Sequence, residues 1–369
     1  MTHLERWKNA VARKSFDRLP RFYSATKEFS DSLMSYLGED LNTILYNRFD
    51  IDYRFQNDGM EAKAWEPAYK GPELKVYDDG SFDNIWGSRQ KLMYHRDGKG
   101  SYTETYNYAL GGDISVSDVE NHKWPEPDWY DYTSILPALE QFPDYPFMVG
   151  YWAIGWFSWE VRGMEQCFMD FAINPEVAEA ITCRIADLGY EYFKRLLEAV
   201  KDYIGKNVVA VHIADDWGMQ DGLIMNPDIF YQYYASHYKR IIDLAHSYGL
   251  LVEFHSCGSA RDLYPGFIEV GVDIMNPVQT SAKGMVPHEI KEEFGKDLAF
   301  SGGIDVQQLL PNASIQEVKD EIKYLLDTIG KGGGYIPGPA HNIQFGTPPE
   351  NVVAMYEAMD DYFGKAERL

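Results

Sequence analysis

Leu251-Val-Glu-Phe-His-Ser-Cys-Gly258 reads as a short apolar strand that runs straight into a loop carrying an imidazole and a thiol two residues apart. It is one beat of a rhythm that starts at residue 147. Phe147–Gly150, Val208–Ala214, Leu250–His255, Asp273–Asn276, Leu298–Ser301 and Gly334–Pro337 are predicted as strands. Between and after them, Pro175–Val200, Pro227–Tyr248, Ala260–Val270, His288–Phe294, Ile315–Ile329 and Pro349–Phe363 carry helical spacing. Gly249, Gly271, Gly295 and Gly330 stop four of these helices, and prolines open the last one. Strands alternating with helices over short loops mean parallel strands joined by crossover helices. At this length a closed (β/α)8 TIM barrel is expected over an open sheet. No G-x-G-x-x-G loop follows a strand, which weakens the open nucleotide-binding alternative.

Upstream the pattern is less regular. Arg6–Lys14 and Glu28–Leu37 are predicted helices, with an apolar strand-like run after Asp17-Arg-Leu-Pro20. Residues 60–145 are rich in Trp, Tyr, Gly, Asp and Pro with little period, so long loops and short strands are expected there. The expected organisation is one barrel domain over 1–369, with 1–145 as an N-terminal extension and capping loops.

The chain has 369 residues, of which 45% are hydrophobic and 15% aromatic, ample for a large core and too apolar for disorder. Its formal net charge of -23 repels nucleic-acid phosphates and anionic membranes. No run approaches the ~20 apolar residues of a membrane span, and the N-terminus lacks the apolar stretch of a signal peptide. A cytoplasmic protein is therefore expected. The three cysteines cannot all pair; Cys167 and Cys183 read as core packing, whereas Cys257 has a metal-ligand type beside it.

A barrel carries its reactive groups on the loops after the C-terminal ends of its strands. Five successive strands here deliver polar groups to that rim: Asp215, Asp216 and Trp217; His255 and Cys257; Gln279; Asp305; and His341. Imidazole and thiolate are ligands that zinc favours, and a catalytic zinc keeps one position open. His341, at another strand end, is the candidate third donor, and Glu253, on the same strand face as His255, a partner of His255 or a fourth ligand. Plainer roles stand beside these. Asp215 and Asp216 can cap a helix, Asp305 can accept backbone N–H groups in its Gly-Gly turn, and Gln279 can tie neighbouring loops. His212, inside a strand, reads as core.

These residues resemble the uroporphyrinogen decarboxylase superfamily over most of 140–365. The specific matches are His255-Ser-Cys-Gly, Gly302-Gly-Ile-Asp-Val-Gln307, Gly333-Gly-Tyr-Ile336 and His341-Asn-Ile-Gln-Phe-Gly-Thr-Pro-Pro-Glu-Asn351, with weaker ones at Asp17-Arg-Leu-Pro20, Asn84-Ile-Trp-Gly87 and Trp124-Pro-Glu-Pro127. The resemblance implies the (β/α)8 fold and one of two activities. One branch decarboxylates a tetrapyrrole without a cofactor, using an arginine-rich N-terminal segment that Arg18-Leu-Pro-Arg-Phe-Tyr-Ser-Ala-Thr26 does not preserve. The other moves methyl groups to or from a corrinoid protein, with zinc on a His-x-Cys pair and a further cysteine; here the neighbourhood of that cysteine offers His341.

The expectation is a zinc-dependent methyltransferase with a corrinoid protein as partner and a small methyl donor or acceptor, such as a methoxylated aromatic. Asp216, Asp305 and His341 would be catalytic, and Asp215, Gln279, Trp217 and Asn84 would bind substrate. His255, Cys257, His341 and Glu253 would hold the metal. A homodimer is expected as a partner state beside this function; a cofactor-free decarboxylase of a non-porphyrin carboxylate and a non-catalytic corrinoid-binding or sensor barrel are the alternatives carried forward.

Overall fold

The computed structural model describes residues 1–56, 64–94 and 101–364. Its centre is a curled parallel sheet of seven strands: β1 (Ala64–Trp65), β2 (Phe147–Trp152), β3 (Val208–Ala214), β4 (Leu251–His255), β5 (Ile274–Val278), β6 (Ala299–Ile304) and β7 (Tyr335–Pro339), hydrogen-bonded in that order. The gap between β7 and β1 is bridged by two irregular stretches. Phe22 N–H donates to Pro337 O, Ala25 bridges Ile343 in parallel, and Asp52 N–H donates to Arg21 O. The result is TIM-barrel-like, with the strand-like run after Pro20 at the position where an eighth strand belongs. That run is too irregular to form a full ladder, so the expected eighth strand is replaced by isolated bonds.

The helices pack outside. Pro175–Val200 connects β2 to β3 and buries Ile181, Ile185, Tyr192, Leu196 and Val200, the 3–4 residue spacing of one helical face. Pro175 opens it at a position where the missing N–H costs nothing. Ile315–Asp327 begins at a capping box in which Ser314 and Glu317 satisfy each other's backbone. The expected single helix over Pro227–Tyr248 is instead two α-segments around a π turn, Phe230–Tyr234. From this turn Phe230 and Tyr234 each stack on Tyr238 and each meet Trp217 edge-on.

The first helix, His3–Val11, lies under the amino-terminal ends of the strands. Trp7 and Val11 line a cavity there with Val208, Leu251 and Ala299, and Gly334 N–H donates to Ala10 O. Residues 64–131 contribute a three-stranded antiparallel sheet (Phe82–Asp83, Arg89–Tyr94, Ser101–Asn107) and a two-stranded one (Ala68–Tyr69 with Tyr130–Asp131). Among the described residues, no helix is long and apolar enough to cross a membrane.

Arg18 and Arg21 are buried in a charge cluster at this end. Asp52, fully buried, accepts from Arg6 at 2.7 Å, from Arg18 at 2.6 Å and from the Arg21 backbone N–H at 2.8 Å. Arg18 also pairs with Asp50, and Arg21 with Asp360. Burial alone would raise the Asp52 carboxyl; the Arg18 and Arg6 guanidiniums and His3 outweigh it and hold the group well below the ordinary carboxylate range.

Candidate functional site

Register decides which side chains meet. In the parallel ladders Tyr151 is opposite His212, His212 opposite Glu253, Ala214 opposite His255, and His255 opposite Asn276. Directly opposed residues on neighbouring strands point to the same side of the sheet. His255 therefore ends β4 one step above a row formed by Tyr151, His212 and Glu253.

His255 Nδ1 lies 2.8 Å from Asn276 Oδ1. The amide oxygen can only accept, so Nδ1 carries the proton and Nε2 presents its lone pair. Asn276 is held in turn by its Nδ2 donating to Ser301 Oγ at 3.1 Å. Cys257 Sγ sits 3.3 Å from His255 Nε2, and Asp216 Oδ1 lies 3.9 Å from the same nitrogen. Asp216, His255 and Cys257 each offer one donor atom, all within 4.8 Å of one another.

The backbone explains how two loops come this close. Cys257 N–H donates to Asp216 Oδ1 at 2.9 Å, Trp217 N–H to Ser256 Oγ at 2.9 Å, and Ser259 N–H to Met219 O at 2.7 Å. Gly218 and Gly258 stand back to back. A Cβ on Gly218 would lie 2.5 Å from Cys257 O, and one on Gly258 would lie 2.5 Å from Gly218 C. Gly258 also has φ +78°, a conformation glycine adopts without a Cβ penalty.

The electrostatics are those of a half-buried polar pocket. Burial lowers the basicity of His255, and Asp216 partly opposes this. Burial pushes the Cys257 thiol well above its ordinary value, and the neighbouring Asp216 adds to the rise. The chain on its own thus keeps a neutral imidazole and a protonated thiol side by side.

Beside the three donors opens a cavity of about 730 Å³. Its lining includes Asp216, Cys257, Gln279, Asp305 and His341. Gln279 Oε1 accepts from Gly258 N–H at 2.8 Å, so it ties the two loops while facing the cavity. Asp305 accepts from the N–H groups of Gln307, Gln308 and Leu309, so it turns the chain into the short helix Leu309–Asn312 from the cavity wall. Among the described residues, the lining holds no lysine or arginine.

Four expected site residues stand elsewhere. Glu253 is fully buried and accepts from His212 Nδ1 at 3.1 Å rather than turning to His255. Asp215 is buried and accepts from the N–H groups of Gly155 and Trp156 at 2.7 and 2.6 Å, and from Tyr238. It caps the helix Ile154–Arg162 from a neighbouring strand end, and burial raises its carboxyl to about 7. Trp217 is buried against Phe230 and Tyr234. Asn84 accepts from Trp86 and Ser88 N–H in a turn and donates to Glu160. None of the four lines the cavity. His341 does line it, but it is exposed and lies outside the three-donor group.

His212, expected in the core, is there: it lies inside β3, nearly buried, and bonds the fully buried Glu253. Its ring stacks on Tyr151 at 6.0 Å and meets the His255 ring edge-on at 6.2 Å. Barrel interiors are ordinarily filled by branched apolar side chains. A histidine bonded to a fully buried glutamate there departs from that rule.

A cavity at the carboxyl ends of the strands of a curled parallel sheet lies where barrel enzymes carry their active sites. A model of the uroporphyrinogen decarboxylase (URO-D) family matches residues 158–362, more than half of the chain, and the chain belongs to that family. The fold is similar to a solved structure of a methyltransferase from Methanosarcina mazei, with TM-score 0.64 over 98% of this chain and 99% of that one, at 16% identity. No curated protein sequence matches the chain.

Proposed function

We propose that this protein is a zinc-dependent methyltransferase that moves a methyl group between a small substrate and a corrinoid carried by a partner protein. The carrying observation is the convergence of His255 Nε2 and Cys257 Sγ, 3.3 Å apart at the mouth of the barrel, beside an open cavity. Family membership and the fold shared with a methyltransferase support the same class.

The donor set fits zinc. His255 is fixed in the tautomer that leaves Nε2 free to bind, and its Nδ1–H is engaged by Asn276, as metal-bound histidines ordinarily require. When bound, zinc would act as a Lewis acid that favours the thiolate form of a ligand and activates a bound substrate atom. Cys257 must lose its proton to bind, so metal uptake at this site falls as pH falls. The substrate sits in the cavity, where Gln279 and His341 offer hydrogen bonds and Asp305 a carboxylate. The corrinoid protein docks over the strand-end rim. The unit that does this is the whole barrel, residues 1–369, with 1–145 as its extension and capping loops.

The cofactor-free decarboxylase is the weaker alternative. Arg18 and Arg21 are taken up by Asp50, Asp52 and Asp360, and among the described residues the cavity offers a substrate carboxylate acidic side chains and no lysine or arginine.

Purified protein should carry one zinc per chain, and Cys257→Ala should lose it. With free cob(I)alamin in place of the corrinoid protein, methyl transfer from a methoxylated aromatic such as guaiacol is read as the conversion of the cobalamin spectrum. Full zinc occupancy in Cys257→Ala would sink the metal assignment.

A further inference from the structure

We propose that Asp216 is the third protein ligand of this metal, in the role for which the family resemblance implies a cysteine and the sequence suggests His341. The inference rests on the zinc reading above and deepens it.

Donor spacing is the first support. A tetrahedral ion bound at about 2.0–2.3 Å from N, O and S donors sets those donors roughly 3.3–3.7 Å apart. The observed separations from His255 Nε2 are 3.3 Å to Cys257 Sγ and 3.9 Å to Asp216 Oδ1. Small side-chain adjustments suffice to close on an ion. His341 and Glu253 are outside this group, one exposed on the cavity wall and the other bonded to His212.

Rigidity is the second. Asp216 is aimed by the Cys257 N–H, and a carboxylate oxygen that accepts one hydrogen bond keeps another lone pair for a cation. The two loops that carry Asp216 and Cys257 are locked by the Trp217–Ser256 and Ser259–Met219 bonds and by the Gly218–Gly258 approach. Neither loop needs to move for all three donors to be in place.

Charge is the third. Asp216 is half-buried, and among the described residues no lysine or arginine pairs with it; its one ion-pair contact is His255. A carboxylate set against a thiol and an imidazole is repaired by a cation between them. The resulting centre has nitrogen, sulfur and oxygen donors with two formal negative charges, which a divalent ion balances. Asp216 and Cys257 both line the cavity, so a position left open on the ion would be within reach of a substrate there. His341 is thereby left on the substrate side.

The test uses the full chain, stripped of metal and reloaded with Co²⁺ or Zn²⁺. Zinc affinity is measured by competition with a chromophoric chelator, and ligand identity from the cobalt spectrum. Wild type, Asp216→Asn, Asp216→Ala, His341→Ala and Cys257→Ala are compared, each checked for folding by circular dichroism. Wild type should bind one ion with a sulfur-to-cobalt charge-transfer band. Asp216→Ala should keep that band, shift the d–d bands and bind zinc at least roughly 100-fold more weakly, since loss of even an indirect partner costs 10–100-fold. Asp216→Asn, nearly isosteric, carries the test if the alanine variant does not fold. His341→Ala should bind within about threefold of wild type. Unchanged affinity and d–d bands in the Asp216 variants overturn the assignment while leaving the zinc reading intact, as does an equal loss in His341→Ala. Failure of wild type to bind metal, or binding that survives Cys257→Ala, overturns the zinc reading itself and this inference with it.

Discussion

At the amino-terminal end of the barrel, Arg6, Arg18 and Arg21 meet Asp17, Asp50, Asp52 and Asp360. At the mouth, Asp216, His255 and Cys257 meet one another beside an open cavity. Both sets are polar groups and both are partly buried, the lower one held by loops and two helices, the upper one by strand ends and loops. The lower set is saturated: each acid has a guanidinium and each guanidinium an acid. The upper set converges lone pairs and supplies no cation. Saturation is what a stabilising network needs, since a buried charge without a partner costs several kcal/mol. Convergence without neutralisation raises the energy of the empty site and is tolerated where something binds.

The largest effect should come from breaking the lower set. Asp52→Ala leaves Arg6 and Arg18 facing each other without their shared acceptor, so the fold should lose about 3–5 kcal/mol, read as a lower urea midpoint. The pH dependence follows from the same residue. The folded pKa of Asp52 lies below its unfolded value, so between the two the unfolded chain binds more protons and stability rises with pH. The contribution is complete above about pH 5 and is lost as pH falls through and below the ordinary carboxylate range near 3.9. Asp52→Asn should flatten that acid limb. An unaltered acid limb in the variant would show that the cluster is not what acid breaks.

A smaller effect is expected at the mouth, and on a different quantity. Asn276→Ala frees the Nδ1–H of His255, so the ring loses its fixed tautomer and orientation. Zinc affinity should fall about 10–100-fold, or ~1.4–2.7 kcal/mol. The stability of the metal-free protein should change less than in Asp52→Ala. If Asn276→Ala leaves the zinc dissociation constant unmoved, the hydrogen bond is packing and the likeness of the mouth to a metal centre weakens.

Most of the fold was legible because each strand or helix announces itself locally. Val208–Ala214, Pro175–Val200 and Pro349–Phe363 have the bounds that apolar runs and prolines imply. The run after Pro20 reads as strand-like, but that it forms no ladder was not legible, because its partners Pro337 and Ile343 lie more than 300 residues away and hold it by isolated bonds. At the site, the His-x-Cys pair was visible since both donors lie at one strand end, two residues apart. Its nearest carboxylate was not, because the choice between Glu253 and Asp216 depends on register. Glu253 shares the face of His255 but sits one row lower, opposite His212, whereas Asp216 arrives from the next strand end. The fates of Arg18 and Arg21 were hidden for a similar reason: their partners Asp52 and Asp360 lie 34 and 339 residues away.

The finest comparison is within one residue. Asp305 touches both kinds of role, turning the chain by accepting three backbone N–H groups and lining the cavity with its carboxylate. Asparagine keeps the acceptor oxygen and is as good a cap as aspartate, so Asp305→Asn should change stability by no more than about 0.5 kcal/mol. Alanine removes the acceptor and should cost about 0.5–2 kcal/mol. If the charge serves the substrate, methyl transfer to cob(I)alamin should fall in the asparagine variant while its melting temperature stays near wild type. If both variants lose stability in proportion to activity, Asp305 belongs with the saturated groups, and the working part of the mouth narrows to the three donors and the side chains that face them.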